Sequence, residues 1–144
     1  MDLKEIMNQA KEDLQFDPTE LDIASLNIPQ LHNKYLNYLR SETVVFKKHR
    51  ADYRRLYRAK WEYYTGKISE EELKFRGWEP FQLTILKQDL SIYLDADEDL
   101  IKLRSKMDYC EEKMKHLEEI IKNVNNLQWN IKNAIEWKKF VSGQ

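Results

Sequence analysis

Residues 47–60, KKHRADYRRLYRAK, hold seven Lys/Arg against one Asp, a local charge of +6 in a chain whose total is −1. The other 130 residues therefore sum to −7. Tyr53, Tyr57, Trp61, Tyr63 and Tyr64 are threaded through or directly follow this run. Cations neutralise phosphates and aromatic faces stack on unpaired bases, so the mixture points to single-stranded nucleic acid. A solvated basic helix face, with its tyrosines packed inward, has the same composition. Both readings stand at this level.

Other chemistries find less support. Asp95, Asp97 and Asp99 alternate like the start of a calcium loop, but Leu100 stands where its glycine belongs and Lys106 where its bidentate acid belongs. Helix capping is the better reading of these acids. His32, His49 and His116 lack partners at metal spacing. The glycines at 66, 77 and 143 are isolated and build no phosphate-cradling loop. Cys110 is the only cysteine and falls among apolar heptad positions, which suits a small buried hydrophobe. No catalytic set, metal or cofactor is expected, and the chain reads as a non-enzyme.

Three Gly and three Pro in 144 residues leave few tight turns, so helices must position the basic run. Leu3, Ile6, Met7, Ala10 and Leu14 recur at helical spacing and predict a short amphipathic first helix. Asp17-Pro18-Thr19-Glu20 signals a second short helix to about Leu26. Asn27 and Pro29 repeat the start signal, and nothing then breaks the pattern before Thr65-Gly66. That stretch is roughly 37 residues, about 55 Å at ~1.5 Å per residue. At 100° per residue its apolar face runs through Leu31, Tyr35, Tyr38, Val45, His49, Tyr53, Leu56 and Tyr63. Lys47, Arg50, Arg54, Arg58 and Trp61 fall on the opposite side, close to one line. Lys60 departs from that line and lands between Leu56 and Tyr63, where a lysine either snorkels or faces a cavity with a reason to be cationic.

Ser69 and Glu72 predict a capping box for a short helix ending at Gly77. Residues 81–94 read as helix, with a strand near 81–86 as the alternative, because Phe81, Leu83 and Ile85 alternate. Asp95 and Glu98 form a second capping signal. A heptad repeat follows, with Leu100, Met107, Met114, Ile121, Gln128 and Ile135 at a and Leu103, Cys110, Leu117, Val124, Ile131 and Lys138 at d. Ten of these twelve are apolar, which predicts a coiled-coil seam. Ile120, Leu127 and Ala134 widen the seam and argue for an assembly larger than a dimer, with Met107, Met114, Leu117, Ile121, Val124, Ile131 and Ile135 as its contact residues. A hairpin with the basic helix within one chain is the other use of this face. The expected division is therefore 1–94, with a DNA-binding helix at about 28–65, and 95–144 for oligomerisation. No apolar run approaches the ~18 residues of a membrane span. The charged N-terminus is unlike a secretory signal, so a reducing cytoplasm is expected.

Arg58-Ala59-Lys60-Trp61-Glu62-Tyr63-Tyr64-Thr65-Gly66, followed by Leu94-Asp95-Ala96-Asp97-Glu98-Asp99-Leu100-Ile101-Lys102, resembles the UvsY family of recombination mediators of T-even-like bacteriophages. The resemblance spans roughly Leu3 to Phe140, and its most specific part is the block ending in Tyr-Tyr-x-Gly. It implies an all-α, ring-like homo-oligomer that binds single-stranded DNA. It also implies a role in loading the phage recombinase onto DNA coated by the single-strand-binding protein, in the cytoplasm of the bacterial host. Two basic residues tied to DNA in the family match Arg58 and Lys60. Lys and Arg are exchanged at these two places relative to the family pattern, which keeps charge but not hydrogen-bond geometry. Gly66 to Leu94 is longer here and carries nothing over. Lys47, Arg50, Arg54 and Trp61 are expected to extend the surface. The rivals are a coiled-coil adaptor whose basic helix binds an acidic protein, and a binder of duplex DNA or RNA.

Overall fold

In a computed structural model, which describes residues 1–143, the chain is all-helical: α1 (Leu3–Asp13), α2 (Leu21–Tyr64), α3 (Glu70–Arg76), α4 (Leu90–Asp95) and α5 (Glu98–Val141). A 3₁₀ turn, Lys87–Asp89, precedes α4. The chain divides into two compact units, Met1–Val44 with Glu111 onward, and Val45–Cys110. The 94/95 division drawn from sequence falls inside the second unit.

The first unit packs α1, the first half of α2 and the second half of α5 around one core. Asp2 caps α1 by accepting from Glu5 N–H at 2.8 Å, and Glu5 returns the bond to Asp2 N–H at 2.9 Å. Ile6 and Ala10 meet Leu21, Leu31 and Tyr35 of α2 and Leu117, Ile120, Val124, Leu127 and Ile131 of α5. Lys113 Nζ lies 2.9 Å from Glu42. Lys138 donates to the Pro18 carbonyl, so α5 runs back along α2 here.

Two expectations for this unit need correction. No break occurs at Asn27–Pro29, because α2 continues through Pro29. Proline removes one N–H, the one that would bond the Ser25 carbonyl. Ser25 and Pro29 are both exposed, so that carbonyl is open to solvent, while Leu21, Ile28, Leu31 and Tyr35 hold both flanks to the core. The second correction concerns the heptad seam. Leu117, Val124 and Ile131 are 0%, 0% and 2% exposed within their own chain and cannot also face another copy. The buried face of α5 runs through d and g (Leu117, Ile120, Val124, Leu127, Ile131), leaving Met107, Met114 and Ile121 half-buried and Ile135 36% exposed.

The second unit is assembled from the second half of α2, α3, the segment 78–86, α4 and the start of α5. Helix α2 ends as expected: Gly66 takes φ 75°, and the N–H groups of Lys67 and Ile68 both reach the Glu62 carbonyl, at 2.8 and 3.0 Å. Ser69 caps α3 by accepting from Glu72 N–H at 3.2 Å, and Gly77 closes it at φ 69°. Residues 81–86 are neither helix nor strand. Phe81 is drawn into an aromatic cluster 5.0 Å from Tyr64 and 5.6 Å from Tyr93, and that anchor overrides the helical spacing. Asp97, and not Asp95, caps α5, its Oδ1 accepting from Leu100 N–H at 3.0 Å.

Candidate nucleic-acid interface

Helix α2 brings the predicted basic residues together as one exposed face. Lys47, Lys48, Arg50, Arg54, Arg55 and Arg58 are all exposed, and Trp61 closes the row at 36% exposure. Arg50 rests over the Phe46 ring at 5.6 Å, which stiffens it without neutralising it. Asp52 engages Arg55 at 3.4 Å and Glu62 engages Arg58 at 3.3 Å. Both pairs are solvated and worth little, so the guanidinium groups remain open to a stronger anion. Lys67 covers the Trp61 ring, 4.6 Å from its centroid, and gives the end of the row a further cation.

Lys60 stands in another environment. Its side chain is 7% exposed, with Nζ 3.1 Å from Asp97 and 2.9 Å from Asp99. The same ammonium sits 4.0 Å from the centroid of Trp78 and 5.6 Å from that of Tyr63. Tyr64 donates its hydroxyl to Asp97 Oδ2 at 2.6 Å. Burial alone would push the Asp97 carboxyl up, but the bonds from Tyr64, Leu100 N–H and Lys60 hold it below the ordinary aspartate value. Burial and the same carboxylate push the Tyr64 phenol up, so it stays a donor throughout the neutral range. The buried lysine thus has a full set of partners. A direct phosphate contact from Lys60, expected from the sequence, does not fit this geometry, because two carboxylates and an indole enclose the charge.

The aromatics divide likewise. Tyr63 lies 5.1 Å from Tyr64, 5.3 Å from Trp78 and 5.6 Å from Phe81, and donates to the Glu79 carbonyl at 2.6 Å. Tyr53 accepts from Arg104, and Tyr57 is 41% exposed. Packing inward, the bland reading of the tyrosines, therefore describes Tyr63 and Tyr64, whereas Tyr57 and Trp61 stay at the surface. Sequence reasoning missed Asp97, Asp99 and Trp78 as partners of Lys60. The available signal was a lysine on an apolar helix face together with acids at the start of α5.

The sequence matches the family described as "Recombination, repair and ssDNA binding protein UvsY" over residues 9–144. The chain belongs to the UvsY family. The fold is also that of crystal structures of the bacteriophage T4 recombination mediator protein UvsY. One (lattice type II) aligns with a TM-score of 0.87 at 20% identity, over 99% of this chain and 98% of the T4 chain. Another (lattice type IV) gives 0.87 at 20% identity, over 97% and 99%. Among curated protein sequences none matches. The exposed row on α2 presents cations at helical spacing, flanked by Tyr57 and Trp61. Among the described residues no group of three or more His, Cys, Asp or Glu is placed to hold a metal ion, and no helix is long and apolar enough to cross a membrane.

Proposed function

We propose that this protein is a recombination mediator that binds single-stranded DNA through the exposed row Lys47, Arg50, Arg54, Arg58 and Trp61. In this reading it helps a recombinase load onto DNA coated by a single-strand-binding protein, in the cytoplasm of a bacterial host. The observation that carries it is the uncovered cationic face of α2 in a chain of a family described by single-stranded DNA binding. Lys60 serves this function from inside the fold.

Each protomer offers a few solvated charges, individually weak, so useful affinity comes from several protomers on one strand. Self-association larger than a dimer draws on the apolar residues α5 leaves exposed. Ile135 is one of these, and Trp129, Trp137, Phe140 and Val141 are 59%, 64%, 72% and 67% exposed. Trp137 and Phe140 stack at 5.6 Å and form the firmest part of that surface.

The test is affinity for an unstructured oligonucleotide across a salt series. Each phosphate contact adds about 0.7 to the magnitude of the log–log slope, with little dependence on base sequence. Arg54→Ala with Arg58→Ala should lower both affinity and slope while helix content holds, and should slow recombinase assembly on coated DNA. A flat salt response would overturn the reading in favour of an adaptor for an acidic protein.

A further inference from the structure

The side of α2 that carries Leu56 faces away from the basic row and borders a second cationic surface. Leu56, Trp78 and Leu103 floor a groove of about 380 Å³, rimmed by Arg76, Asp99, Lys102 and Lys106. Lys102 and Lys106 are one turn apart on α5 and so project from the same face. Both are exposed, and neither makes an ion pair among the described residues. Arg76 uses its Nε on Glu72 at 3.1 Å and lies over the Trp78 ring at 5.1 Å, leaving its other N–H groups for a ligand. Of the carboxylates near the groove, Glu72 pairs with Arg76, and Asp97 and Asp99 share the single ammonium of Lys60.

We propose that this groove takes a phosphate of the single-stranded DNA backbone on Lys102, Lys106 and Arg76, as a binding site separate from the row on α2. Lys60 is its positioning residue. Its ammonium, shared between Asp97 and Asp99, offsets part of the negative charge that would otherwise repel a phosphate at the rim, and it carries Trp78 against itself. Charge complementarity selects the occupant: Lys102 and Lys106 are unpaired cations, Arg76 is balanced by Glu72, and Asp97 and Asp99 share the one charge of Lys60, which leaves the groove net positive. This inference rests on the single-stranded DNA reading above.

The experiment titrates a labelled oligothymidylate with the full-length chain by fluorescence anisotropy, from low to high salt. Lys102→Ala with Lys106→Ala should weaken binding on the order of tenfold and lower the slope by about 1.4, at ~0.7 per lost contact. Both lysines are solvent-exposed, so helix content and assembly mass should not change. Lys60→Met, compared under conditions where its near-ultraviolet circular dichroism matches that of the unaltered protein, should lower the slope in the same way, and adding it to the double variant should lower it little further. Lys60→Arg, which keeps the charge, should restore it. If the unaltered protein fails to bind the oligonucleotide, the parent reading falls and this one with it. If the unaltered protein binds and the Lys102/Lys106 variant matches it, the groove alone is refuted. A Lys60→Met effect that adds fully to the lysine pair would place Lys60 on the strand and overturn its positioning role.

Discussion

The first unit buries ten residues in one cluster, and only Tyr35 among them is aromatic or polar. The second buries Ala59, Leu94, Leu100 and Cys110, and with them Lys60 and Asp97. Around that pair it gathers Tyr63, Tyr64, Trp78, Phe81 and Tyr93. One unit is held mainly by aliphatic burial, with the Lys113–Glu42 and Lys34–Asp13 ion pairs beside its core. The other is held by aromatic edges and a desolvated ion pair, whose strength depends on protonation and on every partner being present. The difference teaches that the unit carrying the cationic surface is also the one whose buried centre is an ion pair ringed by aromatic side chains.

That contrast can be broken most sharply at Lys60. Lys60→Ala leaves Asp97 buried without its cation and should cost about 3–5 kcal/mol, seen as loss of near-ultraviolet circular dichroism from the aromatic cluster. The double change with Asp97→Asn should cost less than the sum of the two singles, because the charges are coupled. Additive losses would mean the pair does not act as a unit. Leu117→Ala in the first unit should cost about 2–5 kcal/mol by opening a cavity, with a chemical-denaturation midpoint that responds equally at neutral and mildly acidic pH.

Acid separates the units next. Asp97 has its folded value depressed, so its contribution is fully present above the unfolded aspartate value and is lost as pH falls through the folded one. Signals from Tyr64 and Trp78 should therefore fade below about pH 4, in the ordinary carboxylate range. In the first unit burial pushes the Asp13 carboxyl up but Lys34 and Tyr35 hold it below the ordinary value, so that edge loosens in acid too. Methyl NMR signals from the aliphatic core should persist to lower pH. Simultaneous loss would argue that the units do not differ in this way. At the assembly surface, Trp137→Asp with Phe140→Asp should reduce the sedimenting mass and take DNA affinity down with it, leaving the core intact. The smallest effect belongs to Glu62→Ala. Removing an exposed i,i+4 pair should cost only about 0.3–0.5 kcal/mol in thermal stability, while freeing Arg58 and slightly raising affinity for the oligonucleotide.

Much of this was legible from residue order. The basic row, the Thr65–Gly66 stop, the Ser69 cap and the apolar stripe of α5 follow from helical spacing and local chemistry. What spacing could not settle is which partner a face meets. The heptads of α5 predict burial at Leu117, Val124 and Ile131 equally well against a second copy or against α2, and only tertiary packing chooses. Pro29 was misread because its cost depends on whether the Ser25 carbonyl is wet, a property of the folded surface. Lys60 was recognised as out of place, but its two aspartates lie 37 and 39 positions further on, beyond the reach of periodicity.

The segment between Pro80 and Leu86 has a practical consequence. Phe81 and Ile85 are partly sheltered, whereas Leu83 and Leu86 stand 61% and 64% exposed in a stretch with no helix or strand. Backbone of that kind is where proteases cut and where chains tolerate interruption. Position 83 is therefore the place to attach a dye, or to open the chain for a circular permutant, with the Phe81 end of the segment still pinned by aromatic packing.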